Sequence, residues 1–244
     1  MKRLIKNAAG GTMRLVPAFI ALSLLTAASS RAQVSFGAGE AYGLSVNVSG
    51  IVAGIAGVDL NVGPTAYVSN SAPLPYSQDF VPVAVNVTTG AGIVTAGAVG
   101  SSVQSNVDGL PGPRFSVSSS SVDDLDLRLY AVIGDTLKID AGTITSSASV
   151  FGGSTYSYTA DSDIQNLSLI VLGSTLVIPA EAFTTPNYVF AAGLGINIIF
   201  NEQIVSGNTA SGYNLEVNAL RISFVDLGLA NTDISGDIIV GHSF

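Results

Sequence analysis

The sequence predicts an all-β protein, a mostly antiparallel two-sheet sandwich-like domain, and three observations carry that prediction. Apolar runs, alternating or continuous, recur along the chain beyond residue 40 and are bounded by Gly, Pro, Asn, Asp or Ser, the pattern of strands closed by tight turns. The 27 glycines, nine prolines and runs of Ser, Thr and Val suit pleated strands and corners rather than helices. No window of a dozen residues past the N-terminal segment shows a 3.6-residue apolar stripe.

The first 32 residues stand apart from this pattern. Met13-Arg14 is followed by an apolar run from Leu15 to Ala27, then by small polar residues and Ser30-Arg31-Ala32 before Gln33. A positive start, a short apolar stretch and a small-x-small site are the three parts of a secretory signal peptide. The run is shorter than the roughly 20 apolar residues that cross a bilayer, so a membrane-spanning helix is not expected. Residues 1–32 are therefore assigned as a signal peptide, complete even if translation starts at Met13, and residues 33–244 as a single β-rich extracellular domain. The expected location is secreted, extracellular or cell-surface, with the periplasm as the alternative.

Removing residues 1–32 takes away five of the nine basic residues and none of the seventeen acidic ones. Arg114, Arg128, Lys138 and Arg221 then face seventeen acidic residues, a net formal charge of −13. So few cations cannot neutralise phosphates, which excludes nucleic acid and anionic lipid as partners. Cysteine and tryptophan are absent, so thiolate metal sites are excluded and the fold must be held by burial alone, for which the length suffices.

Strands are expected over the runs at Tyr42–Val48, Ile51–Val62, Val81–Val87, Ile93–Val103, Phe115–Val122, Leu125–Ile133, Thr136–Val150 and Tyr156–Thr159. Further strands are expected at Leu167–Leu172, Thr175–Ile178, Tyr188–Phe200, Tyr213–Phe224 and Ile234–Val240. In a sandwich, Leu125, Leu127 and Leu129 turn inward while Asp126 and Arg128 project outward. Pro179–Phe183 is the best helical turn. Gly63–Asp79, with three prolines, and Val107–Arg114, with two prolines and two glycines, are expected to be long loops.

Two internal echoes appear. Val132–Ala141 matches Val171–Ala180 without gaps, each reading as strand, Gly-Asp or Gly-Ser, strand; glycine first suits a type II′ corner at Gly134-Asp135 and at Gly173-Ser174. Val94–Ser102 similarly matches Ile139–Ser147. The repeated unit leaves a β-solenoid-like stack of hairpins as the alternative architecture.

The segment Ala41–Val46, the two "val-thr-ala-x-ala-val-x-ser-ser" segments at Val94–Ser102 and Ile139–Ser147, and the ending together resemble the choice-of-anchor P family. That ending runs Asn201-Glu202-Gln203, then Asn218-Ala219-Leu220-Arg221-Ile222, then Gly236-Asp237-Ile238-Ile239-Val240-Gly241. The resemblance spans most of residues 38–242. It implies an exported bacterial surface protein whose body domain is followed, in other members, by varied anchoring signals. This sequence ends at Phe244 without an anchor segment, so the resemblance implies a body domain released to the exterior or periplasm, and it supplies no catalytic residues.

Chemistry is sparse. A Ser-His-Asp arrangement needs a histidine, and His242, two residues from the end, reads as a terminal-strand or tail residue. Glu202, Glu216 and Asp226 are the carboxylates that could hydrolyse a glycosidic bond, against which stand their scatter among turns and the lack of tryptophan for sugar stacking. No cofactor is expected apart from calcium, whose candidate ligands are Asp123, Asp124 and Asp126 in one turn-like stretch and the Asp161-Ser162-Asp163 step. Neither stretch has EF-hand or nonapeptide-repeat spacing, and solvated turn carboxylates explain them as well.

The expected function is thus that of a non-enzymatic secreted or cell-surface structural or adhesive protein, acting by contact with an extracellular protein or polysaccharide. An outer-membrane β-barrel is the alternative, suggested by the terminal Phe244 and many short strands but opposed by the low aromatic content that a barrel girdle needs. Intact mass spectrometry of the exported protein is expected to find Gln33 as the first residue; residues 13–32 still attached would overturn the processing site.

Overall fold

The computed structural model describes residues 33–52, 55–131, 134–193, 195–225 and 233–244. Fourteen strands are present among them, with one 3-10 turn at Ala180–Phe183 where the helical turn is expected. The first sheet gathers both ends of the chain: β11 (Tyr188–Gly193), β12 (Ile196–Asn208), β13 (Gly212–Val225), β14 (Asp233–Ser243), β1 (Gly37–Val52) and β2 (Ile55–Thr65) in that order, with β3 (Val68–Ala72) also on β1. The second takes the middle: β10 (Ser174–Thr175), β9 (Ser168–Val171), β7 (Gly134–Gly152), β6 (Arg114–Ala131), β5 (Gly92–Ser105) and β4 (Tyr76–Thr88), with β8 (Ser157–Gln165) on β7. Every described ladder is antiparallel.

The two-sheet sandwich is therefore the architecture. Neither sheet closes on itself, so the barrel is not formed, and two facing antiparallel sheets replace the solenoid-like stack. Pro82 sits in the edge strand β4, where its missing N–H removes no ladder bond and blunts further pairing.

The side-chain alternation inverts partway along the strands. In β6 the inward residues are Ser118, Ser120 and Val122, then Leu125, Leu127 and Leu129, so the phase slips by one at Asp123-Asp124. Asp124 has φ +51°, a left-handed conformation that Asp and Asn tolerate better than most residues. The ladders place it in one cross-strand row with Gly97, Gly142 and Asn166, the last at φ +56°. A Cβ on Gly97 would lie 3.0 Å from Asp124 Oδ2, and one on Gly142 would lie 2.9 Å from Asn166 Nδ2. The two glycines make room for the two left-handed side chains. This accounts for one sequence echo, since the shared Ala-Gly steps of Val94–Ser102 and Ile139–Ser147 are these crossing points.

The other sheet creases along the row Asn201, Ala219, Gly241 and Gly43, with φ +49° at Asn201 and +68° at Gly241. On one side of both creases lies the main core, built from Leu44, Leu60, Leu127, Leu137, Ile139, Ile198, Phe200, Leu220 and their neighbours. Each such fully buried side chain contributes about 1.5–3 kcal/mol of transfer free energy. On the other side the interior mixes smaller apolar clusters, such as Ala148, Leu215 and Val217, with buried serines. Ser120 and Ser146 share a hydroxyl bond of 2.9 Å, Ser146 reaches Ser243 of the opposite sheet at 2.7 Å, and Ser243 also donates to the Ser146 carbonyl at 3.2 Å. These buried hydroxyls are paired, so burial does not leave them as liabilities.

Several expected connections are relocated. Gly63–Asp79 is not one loop: it contains β3, held on β1, between short turns. Residues 106–113 do form a loop. The Gly173-Ser174 corner is shifted by one residue, because Val171 pairs with Ser174 and the turn is Leu172-Gly173, both at positive φ (+48° and +75°), a type I′ rather than a type II′ geometry. Gly134 and Asp135 lie within β7, paired with Ala131 and Tyr130. The strand β10 ends at Thr175, and beyond it Leu176 makes one more bond, N–H to the Leu169 carbonyl at 2.8 Å, so Thr175–Ile178 is not a strand.

At the crease a Cβ on Gly43 would overlap Val99 Cγ1 of the facing sheet, whereas one on Gly63 meets nothing within 4 Å. Gly43→Ala is therefore expected to cost about 1–3 kcal/mol by overpacking and Gly63→Ala to leave stability nearly unchanged. Thermal melting of the two variants checks this, and equal melting temperatures would contradict the close approach of the sheets.

Candidate functional site

The crease in the first sheet brings together a polar network on that sheet's outer face. Ser243, Val217 and Ala41 point inward, so their neighbours His242, Asn218 and Tyr42 point outward, joined by Glu202 in one row across β12, β13, β14 and β1. Although outward, they are nearly free of solvent: Glu202 and His242 are 7% exposed and Asn218 is 0%. Asn218 Nδ2 donates to Glu202 Oε2 at 2.7 Å and to Glu216 Oε1 at 2.9 Å. Arg221 holds Glu202 Oε1 at 3.2 Å and Asp237 at 3.3 Å.

This arrangement fixes a proton. Two carboxylates can only accept, so they orient the Asn218 amide and leave its Oδ1 facing His242 Nδ1 at 2.7 Å; Nδ1 must then carry the hydrogen and donate. The imidazole stacks on Tyr42 with centroids 4.3 Å apart. Burial pushes the Tyr42 hydroxyl up to about 12, helped by the Glu216 and Glu40 carboxylates. Burial also pushes His242 below its usual range, outweighing the opposite pull of Glu216, Glu40 and Glu202.

Of the two expectations for His242, a terminal-strand residue or a tail residue, the first holds and the frayed tail does not: β14 is an interior strand, clasped between β13 and β1. Glu202 and Glu216 do meet, through Asn218, but both oxygens of Glu202 are engaged and it is almost fully covered. Asp226 lies outside the described residues. Sequence reasoning missed Asn218, Arg221 and Tyr42, since only cross-strand register makes them neighbours of His242.

The calcium candidates do not occupy turns. Asp123, Asp124 and Asp126 lie inside β6, with Asp124 forming the crease and Asp126 bound by both Nε (2.9 Å) and Nη2 (2.6 Å) of Arg128. The Arg128 guanidinium holds the Asp126 carboxyl below its usual range. Asp161 and Asp163 lie in β8, where Asp163 accepts from Gln165 Nε2 at 2.6 Å. Among the described residues no group of three or more His, Asp or Glu is placed to hold a metal ion.

Two concavities lie elsewhere. A cavity of about 410 Å3 at one end is lined by Val34, Phe115, Tyr156, Tyr213 and Phe244 beside Arg114, whose guanidinium is paired with Asp108 at 2.6 Å. A groove of about 460 Å3 crosses the second sheet. Its floor on the outer face is one register row, Asp79–Ser102–Ser119–Ser147–Asp161, carried by β4, β5, β6, β7 and β8. The Ser102 and Ser119 hydroxyls bond at 2.8 Å. No family model, curated protein or solved structure matches the chain.

Because His242 is neutral in the fold with a lowered pKa, the unfolded chain takes up its proton first as pH falls. Its contribution is complete above the unfolded value near 6.5 and declines as pH drops below it. The groups facing the ring are Glu40, Glu202 and Glu216, with Tyr42 stacked on it and the Arg221–Asp237 pair bound beyond Glu202. The melting temperature is expected to fall between pH 7 and 5.5, and His242→Gln to flatten that slope; an unaltered slope in the variant would contradict the assignment.

Proposed function

We propose that this is a non-enzymatic, secreted or cell-surface structural or adhesive protein that works by contact with an extracellular matrix or surface partner, protein or polysaccharide. The observation that carries the reading is the hydroxyl and carboxylate row on the outer face of the second sheet. Five hydrogen-bonded strands hold it rigidly in register, and a rigid display loses little entropy when a partner docks. The groups best suited to catalysis, Glu202, Glu216 and His242, are instead joined to one another through Asn218, and Glu202 pairs directly with Arg221.

Other features support the same reading. The signal-like N-terminal segment favours export, the charge of the chain after residue 32 opposes nucleic-acid partners, and the resemblance to the choice-of-anchor P family favours a surface role. No helix of the described residues is long and apolar enough to cross a membrane.

Deleting the gene is expected to weaken surface attachment or matrix cohesion of the producing cells, and adding purified protein from outside to restore it. Reproducible hydrolase activity in the purified protein, abolished by Glu202→Ala, Glu216→Ala or Asp226→Ala, would overturn the proposal.

A further inference from the structure

We propose that the groove across the second sheet docks a linear amino-sugar polysaccharide, its ammonium groups meeting Asp79 and Asp161 and its hydroxyls meeting the serine floor. This names a partner class for the contact function above and rests on that reading.

The argument starts from the shape and chemistry of the row. Asp79 and Asp161 are separated by four strand spacings, about 19 Å at 4.7–4.9 Å each, with one serine on each intervening strand. Ser121 and Thr145 extend the hydroxyl surface on the same face. A serine or threonine hydroxyl both donates and accepts, which matches a chain of sugar hydroxyls. Pro82 lines the β4 side of the groove and offers apolar surface to sugar C–H groups. Gly100 keeps that side open, since a Cβ there would come within 3.3 Å of Pro82 Cγ and 3.4 Å of Ser121 Oγ.

Charge selects among glycans. The groove is lined by two carboxylates and no basic residue, in a chain whose segment after residue 32 has four basic residues against seventeen acidic ones. An anionic polymer is repelled, and a cationic one gains charge-assisted hydrogen bonds at both ends. A basic peptide shares the charge but fits the floor poorly. The backbone groups of β5, β6 and β7 are taken up by neighbours on both sides, so a peptide cannot add there as a strand, and the floor has no pocket for apolar anchors. Exposed ion pairs are individually weak. Affinity must therefore grow with oligomer length until one molecule reaches both carboxylates, and it must fall with added salt.

Isothermal titration calorimetry in low salt tests this with a β-1,4-linked glucosamine hexamer, the glucosamine dimer, the fully N-acetylated hexamer and hexalysine. The glucosamine hexamer is expected to bind at least ten-fold more tightly than each of the other three. Asp79→Asn and Asp161→Asn are each expected to weaken it several-fold, and the double variant to abolish measurable binding. Asp59→Asn on the other sheet should change nothing, and melting temperatures should confirm that all variants fold. Equal binding of the N-acetylated hexamer, hexalysine as tight as the glucosamine hexamer, an unaffected double variant, or no binding of the hexamer would each overturn the proposal. Labelled protein that still adheres to the producing cells while ignoring the hexamer would sink this assignment and leave the contact function standing. Hexamer binding without adherence would sink the contact function instead.

Discussion

The structure depends on a constraint that takes only a few residues to impose: a left-handed backbone at matched positions across each sheet. Asp124 in the second sheet, and Asn201 and Gly241 in the first, each reverse the in-out phase of their strand, and Asn166 stands at the same row in the bend between β8 and β9. A phase slip in one strand alone would turn half its apolar residues to water. Because the slips fall on a common row, neighbouring strands slip together and both halves of each sheet keep a consistent inner face. The glycines beside them, Gly97, Gly142 and Gly43, supply the space that this geometry requires.

The crease divides the interior into two kinds of contact. The leucine- and isoleucine-rich half is held by non-directional burial, which scales with area and tolerates exchange of similar side chains. The serine half adds directed hydroxyl bonds, including the Ser146–Ser243 link between the sheets, to smaller apolar clusters. That inner row lies directly beneath the outer groove, since Ser101, Ser120 and Ser146 alternate with Ser102, Ser119 and Ser147 along β5, β6 and β7. The serine runs thus serve both faces at once.

Charged and polar groups follow the same division. On the first sheet they are gathered at the crease and satisfy one another, with a single asparagine joining two carboxylates to the only histidine. On the second they are spread along a row and left facing outward. The first pattern makes a rigid polar plug that replaces apolar packing on an outer surface. The second makes a surface whose hydrogen-bonding capacity is available to another molecule.

What the sequence determined by itself was the strand content, the sandwich, the inward turn of Leu125, Leu127 and Leu129, most of the loop expected at Val107–Arg114 and the turn expected at Pro179–Phe183. Each follows from period-two alternation or from turn chemistry, which are local and therefore visible in a single chain. The tertiary structure alone decided the rest. Gly63–Asp79 holds a strand because β1 offers it a partner, and the second hairpin turns at Leu172-Gly173 because the ladder on β9 fixes which residues are left over. His242 is buried beside Asn218 because β14 inserts between β13 and β1, and no sequence spacing encodes that insertion. Register between strands far apart in sequence is set by the summed packing of two whole faces, so the neighbours of a polar residue emerge only once both sheets are assembled.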